Sequence, residues 1–194
     1  MNTKTKIFNA SVMLFSERGY SKVSVRDIAS EVDIKVSSIY NHYVSKADIL
    51  KTLYDYYLDG LNKIKPSVES LLDAALNLSV YQALAKLDYQ FESNERETMH
   101  KILSIACMEF RSDSLSARFI RESVFTPVYE LLAPLLKRLI ELDKIEPIDI
   151  DIFAELTFYV SFGAAVCNHT VFHPNYKKWQ KVLGMLMSQV KIKE

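Results

Sequence analysis

The chain is short of the residues that break or staple a polypeptide. Its 194 residues include four glycines, five prolines and two cysteines. So little Gly and Pro excludes collagen-like and low-complexity chains, and a hydrophobic content of 49 % excludes a disordered one. Cys107 and Cys167 each lie in an apolar stretch, which suits reduced thiols in a core and a reducing compartment. No apolar run approaches the roughly 20 residues that a membrane span needs. The opening MNTKTKIFNASVMLF is basic and then apolar, yet Ile7, Ala10, Leu14 and Phe15 fall at helical spacing and no small-residue cleavage site follows. This is an amphipathic helix rather than a signal peptide, and the protein is expected in the cytoplasm. Net charge is also missing, with 24 Lys and Arg against 24 Asp and Glu. The balance hides an asymmetry: residues 1–51 hold eight cations and five acids, leaving sixteen and nineteen for the rest. That excess points weakly to an anionic partner for the first quarter.

What remains is helical period almost throughout, so the expected fold class is all-α: an N-terminal helix-turn-helix three-helix domain followed by a C-terminal helical domain. A first helix over about Thr5 to Arg18 stops at Gly19. Ser24 with Asp27 forms a capping box, and Ile28, Ala29 and Val32 make the buried stripe of a short second helix. Asp33 can take the left-handed turn conformation usually left to Gly. A third helix spans about Val36 to Tyr43, with Val36, Ile39 and Tyr43 inward. Ser45 and Asp48 repeat the cap and open a fourth helix, with Ile49, Leu50, Leu53, Tyr54, Tyr57, Leu58 and Leu61 along one face and Pro66 at its end. Further helices are expected over 67–89, 95–110, 115–125, 127–142 (kinked at Pro134), 151–172 and 176–192. The domain division is set at 1–47 for a DNA-binding part and 48–194 for effector binding and dimerisation.

Residues 24–46, SVRDIASEVDIKVSSIYNHYVSK, carry the chemistry. In a helix-turn-helix the second helix lies in the major groove and needs short polar side chains where its backbone nears the bases. Lys35, Val36, Ser37 and Ser38 occupy that start. The two serines suit base edges or phosphates, and Val36 suits a thymine methyl. Tyr40, His42 and Lys46 suit phosphate oxygens, and Ser24 could join them from the head of the preceding helix. Tyr40 or His42 taken singly reads better as a partly exposed aromatic packing against the first helix.

Phe15-Ser16-Glu17-Arg18-Gly19-Tyr20, Ser24-Val25-Arg26-Asp27-Ile28-Ala29, Ser38-Ile39-Tyr40-Asn41-His42-Tyr43 and Ser45-Lys46 together resemble TetR-family transcriptional regulators. The resemblance covers about the first quarter of the chain. It implies an all-helical homodimer on a double-stranded DNA operator, released by a small molecule bound in the C-terminal part, and most often a repressor. By the same resemblance Ser24, Tyr40, His42 and Lys46 meet the DNA backbone, and residues 35–38 with Asn41 face the bases. Asp33, Val32, Lys35 and Ser37 depart from the family's common Gly, Ala, Ser and Gly, so no operator sequence carries over.

Apolar walls with a few polar groups describe most ligand sites between helices. Tyr57, Tyr81, Tyr89, Met99, Leu103, Cys107, Phe110, Phe125, Phe158 and Phe162 are the candidate lining for an apolar or aromatic effector, although each alone reads as core. The pair 127–142 and 151–172 is expected to dock against its twin, with Phe158, Phe162, Gly163, Ala164, Val166 and Cys167 in close packing. His169 and His173 share a helix face, but Pro174 ends that helix and no carboxylate lies near, so no metal is assigned. Glu97-Thr98-Met99-His100 has the Glu-x-x-His spacing of di-iron bundles, which need a second copy that the chain lacks. Neither a Gly-rich phosphate loop nor a nucleophile elbow is present, so no catalytic residue and no cofactor is expected. The rival reading is a helical ligand-binding or scaffold protein whose helix-turn-helix mediates protein contacts.

Overall fold

The computed structural model describes residues 2–78, 83, 93–170, 181–182, 184–186 and 188–193. Among them the elements are α1 Thr3–Arg18, α2 Val25–Glu31, α3 Val36–Tyr40, α4 Lys46–Ile64, α5 Val68–Asn77, α6 Ser93–Glu109, α7 Ser114–Ile120, two wide π-helical turns at Arg121–Phe125 and Val128–Leu132, α8 Ala133–Glu141 and α9 Ile150–Thr170. No strand occurs among the described residues; one isolated bridge joins Ile145 and Ile192. The all-α expectation therefore holds. The backbone forms two compact units, Met1–Asn62 with Phe91–Ile120, and Lys63–Gln90 with Arg121–Glu194.

In the first unit the helix ends follow from local chemistry. Asn2 caps α1 by accepting from the Thr5 N–H at 2.8 Å. Gly19 ends it at φ 85°, its N–H donating to the Phe15 carbonyl. The capping box of α2 is complete: Ser24 N–H donates to the Asp27 carboxylate at 2.7 Å and Asp27 N–H donates to Ser24 Oγ at 3.2 Å. Asp33 takes the left-handed turn at φ 53°. Ser45 Oγ accepts from Asp48 N–H, and the Asp48 carboxylate reaches back to Val44 N–H instead of that of Ser45. Ile7, Leu14, Phe15, Ile28, Ile39, Ile49, Leu50 and Leu53 are buried together with Met99, Ile102, Ile105 and Phe119 from α6 and α7.

Several boundaries differ from the sequence reading. Helix α3 ends at Tyr40, and Asn41 and His42 form a turn. Tyr43 still packs inward, its N–H donating to the Ile39 carbonyl at 3.0 Å. Helix α5 ends at Asn77, and residues 79–92, Ala83 apart, lie outside the described residues. The expected helices 115–125 and 127–142 are one helical run, with a wide turn ahead of Pro127 and another ahead of Pro134. A regular α-helix would aim the Ser123 and Glu130 carbonyls at N–H groups that these prolines lack. Widening the turn relieves that conflict without ending the helix.

In the second unit, Leu71, Ala74 and Ala75 of α5 pack with Leu131, Leu132, Leu135, Leu136 and Leu139 and with Phe153 of α9. The helix expected to reach Ile192 stops earlier. Glu146 N–H donates to the Lys191 carbonyl and Lys193 N–H to the Lys144 carbonyl, so 191–193 run beside 144–146 in extended form. Asp143, left-handed at φ 57°, makes the turn that presents this edge.

Candidate nucleic-acid interface

Helix α3 is five residues long and could not persist alone. Ile39, 1 % exposed, anchors it in the core, and α2 packs beside it. Its other side is left to solvent: Lys35, Ser37, Tyr40, Asn41 and His42 are exposed, while Val36 and Ser38 are half-buried. Tyr40 is 54 % exposed. Seven of the nine residues expected at DNA lie on and just beyond α3, and the five exposed ones are its polar row.

The other two are engaged within the protein. Ser24 Oγ donates to the Asp27 carboxylate at 2.6 Å, so its hydroxyl proton is already placed. The bonds from Ser24 hold the Asp27 carboxyl below its ordinary range, and nearby Arg18 adds to this. What Ser24 offers a phosphate is a positioned helix start, and its hydroxyl can only accept. Lys46 Nζ donates to the carbonyls of Tyr20 and Val23, both at 2.9 Å, and lies 4.2 Å from the centroid of the Tyr20 ring. One of its three N–H bonds remains for another acceptor.

Spacing alone did not single out Val44. It is 86 % exposed, next to the buried Tyr43, a large apolar side chain at the edge of the polar row. Its signal was its failure to fit the inward stripe of either adjoining helix. Lys22 and Arg26 are exposed on either side of the Ser24 cap and add positive charge there.

The candidate effector residues fall into two groups. In the first unit Tyr57, Met99 and Cys107 are buried and Leu103 and Phe110 half-buried. Tyr57 meets the edge of Phe119 (5.1 Å between centroids), and Tyr54 stacks on that ring at 4.2 Å. The Tyr54 hydroxyl bonds Ser116 Oγ at 2.7 Å, and Ser116 Oγ donates to Asp113. Burial pushes the Tyr54 phenol up. In the second unit Phe158 meets Phe125 edge-on at 5.1 Å and stacks with Phe162 at 5.7 Å. Ser123 Oγ, on the first wide turn, is buried without a hydrogen-bond partner among the described residues. Tyr81, Tyr89 and His173 lie outside the described residues, as do the side chains of Ala164, Cys167 and His169. Among the described residues no cluster of His, Cys, Asp and Glu could hold a metal ion, and no helix is long and apolar enough to cross a membrane.

A short helix with an anchored apolar side and an exposed polar side, braced by a capped partner across a tight turn, defines a helix-turn-helix protein. Residues 7–53 match the family model described as bacterial regulatory proteins, tetR family. The chain is 28 % identical over 126 residues to "Probable HTH-type transcriptional regulator YttP" of Bacillus subtilis (strain 168), covering 65 % of this chain and 58 % of that protein. It is 33 % identical over 93 residues, 48 % of either chain, to the "Biofilm operon icaADBC HTH-type negative transcriptional regulator IcaR" of Staphylococcus aureus (strain Newman). The matched segments therefore span about half the length of these curated relatives. The fold is shared with ketosteroid transcriptional regulator KstR2 of Mycobacterium tuberculosis (TM-score 0.69, 18 % identity, 100 % of this chain and 96 % of that one). It is shared also with the TetR family transcriptional regulator PfmR from Thermus thermophilus (TM-score 0.68, 18 % identity, 96 % of each chain). Residues 7–53 thus resemble the DNA-binding part of that family, and the fold of the chain is the one these regulators share.

Proposed function

We propose that the protein is a ligand-responsive transcriptional regulator, a repressor that leaves its operator when a small molecule binds. Residues 1–47 meet the DNA, and 48–194 hold effector and partner. The observation that carries this reading is the exposed row Lys35, Ser37, Tyr40, Asn41 and His42 on a helix fixed from behind by Ile39. Tyr40 and His42 meet phosphates, and residues 35–38 with Asn41 meet base edges. Such a regulator works in the cytoplasm, where its DNA is.

Two half-sites call for a twofold dimer. Ile152, Leu156 and Tyr159 of α9, at 57, 45 and 56 % exposure, lie at i, i+4 and i+7 and form an apolar stripe. One turn further on, a Cβ at Gly163 would meet nothing within 4 Å. A second copy of α9 covers this stripe. It centres on residues other than Phe158, which packs on Phe125, and Phe162, which stacks on Phe158. The effector is apolar or aromatic and lodges among the aromatic clusters, and it shifts the population by its differential affinity for the two states. Helix α4 starts beside α3 and continues to Ile64, which makes it the lever.

Fluorescence anisotropy with duplex from upstream of the protein's own coding region tests the DNA reading. Tyr40→Ala and His42→Ala should weaken all duplexes alike and lower the salt slope by about 1 each. A wild-type protein indifferent to every duplex would leave the protein-contact reading in its place. Leu156→Glu should yield a monomer by sedimentation.

A further inference from the structure

Glu109 is the last residue of α6 and only 7 % exposed, a carboxylate drawn out of water. Burying such a group is costly unless something holds it. Its partners are spread across a gap of 88 residues in sequence. Ser21 N–H and Ser21 Oγ approach Oε1 at 3.3 and 3.4 Å, and Ser112 Oγ approaches Oε2 at 3.5 Å. Gly19 makes room for the approach: a Cβ there would lie 3.2 Å from Glu109 Oε1, and φ 85° already favours glycine.

The same loop is held from another side by Lys46, the first residue of α4, with two 2.9 Å bonds to its carbonyls. The two attachments differ in kind. Those to Lys46 are at the most favourable length for an N–H donor. Those to Glu109 lie at the far limit, where a few tenths of an ångström decide whether a bond exists. The loop is thus fixed to α4 and adjustable from α6. It runs straight into Ser24, whose cap starts α2, and α2 packs against α3. Helix α6 also bears Met99, Leu103 and Cys107, three of the candidate effector residues.

We infer that the loop 19–23, clamped by Lys46 and steered by Glu109, is the relay through which α6 sets the seat of α2 and α3 on the duplex. Glu109 and Lys46 are then positioning residues. This rests on the DNA-binding reading. Lys46 serves the interface mainly by holding the loop, with one N–H left for phosphate.

Anisotropy and backbone amide exchange on the full-length protein test it, with the upstream duplex as probe. Glu109→Leu keeps an apolar fit but removes the acceptor. It should weaken duplex binding about tenfold at an unchanged melting temperature, whereas Glu109→Gln, which can still accept from Ser21, should stay within about threefold of wild type. In the wild-type protein, duplex binding should slow amide exchange both at Ser21–Val23 and at Ile105–Glu109, the latter being remote from the DNA row. This measurement decides the matter even if Glu109→Leu fails to fold. Protection confined to 24–46, or a Glu109→Leu protein that binds like wild type, overturns the relay and leaves the DNA reading standing. No binding by the wild type overturns the DNA reading itself.

Discussion

Residues 1–47 and residues 114–141 are both helical, and they reach that state by opposite routes. In the first stretch every break but the turn at Asn41 and His42 is announced by the residue standing at it: Gly19 ends α1, Ser24 and Asp27 open α2, and Asp33 turns left-handed. Propensity, capping and apolar period agree there, and the backbone follows them. In the second stretch Pro127 and Pro134 argue for interruption, while Leu131, Leu132, Leu135, Leu136 and Leu139 argue for one continuous buried face. Burial prevails, and the conflict is absorbed in two wide turns. Local signals thus govern where they are unopposed. Where a buried stripe opposes a breaker, the backbone distorts before the stripe is broken.

Substitutions can break or sharpen this contrast. The largest effect is expected from Ile39→Ala, which removes the anchor of α3. For a fully buried Ile the expected loss in urea unfolding is about 2–5 kcal/mol, with duplex binding abolished. A loss below ~1 kcal/mol would mean that α3 is held by its neighbours in sequence and not by its core contact. Pro127→Ala should stabilise the protein by much less than the ~3 kcal/mol that a helix-interior proline normally costs, because the wide turn has already relieved most of the clash. A gain near the full value would show the turn to be no remedy. Ser123→Ala, removing a buried hydroxyl without a partner among the described residues, should raise stability by about 1 kcal/mol.

The smallest effect is a pH dependence in the first unit. Burial, with help from Arg96, lowers the His100 imidazole below its ordinary 6.5. The folded ring stays neutral while the unfolded chain takes up a proton near 6.5, so stability present above that pH falls away as the pH drops toward the lowered folded value. Melting curves between about pH 8 and 5.5 should show this decline, and His100→Gln should flatten it. An unaltered slope in the variant would place the titrating group elsewhere.

The same contrast explains what could be read in the chain beforehand. The row at 35–42 was legible because one short segment supplies both its anchor and its polar face. Helix α3 was read three residues too long, since Tyr43 stays inward although Asn41 and His42 have turned. Lys191 and Ile192 were read as helix because the pairing of 191–193 with 144–146 is set by partners far away in sequence. Lys46 and Glu109 were opaque for that reason too. A lysine beside a DNA motif suggests phosphate, and nothing in its neighbours shows that two carbonyls, 26 and 23 residues earlier, have claimed it. The exposed stripe of α9 was hidden by the apolar character of the whole helix, which alone does not say which side faces water.

The thiol of Cys107 has one further implication. Burial raises it to about 12, so at neutral pH the group stays a protonated thiol and the reactive anion is scarce. Peroxides and electrophiles would find almost nothing to attack at this position. Any signal that α6 perceives through Cys107 therefore arrives as shape and contact rather than as oxidation.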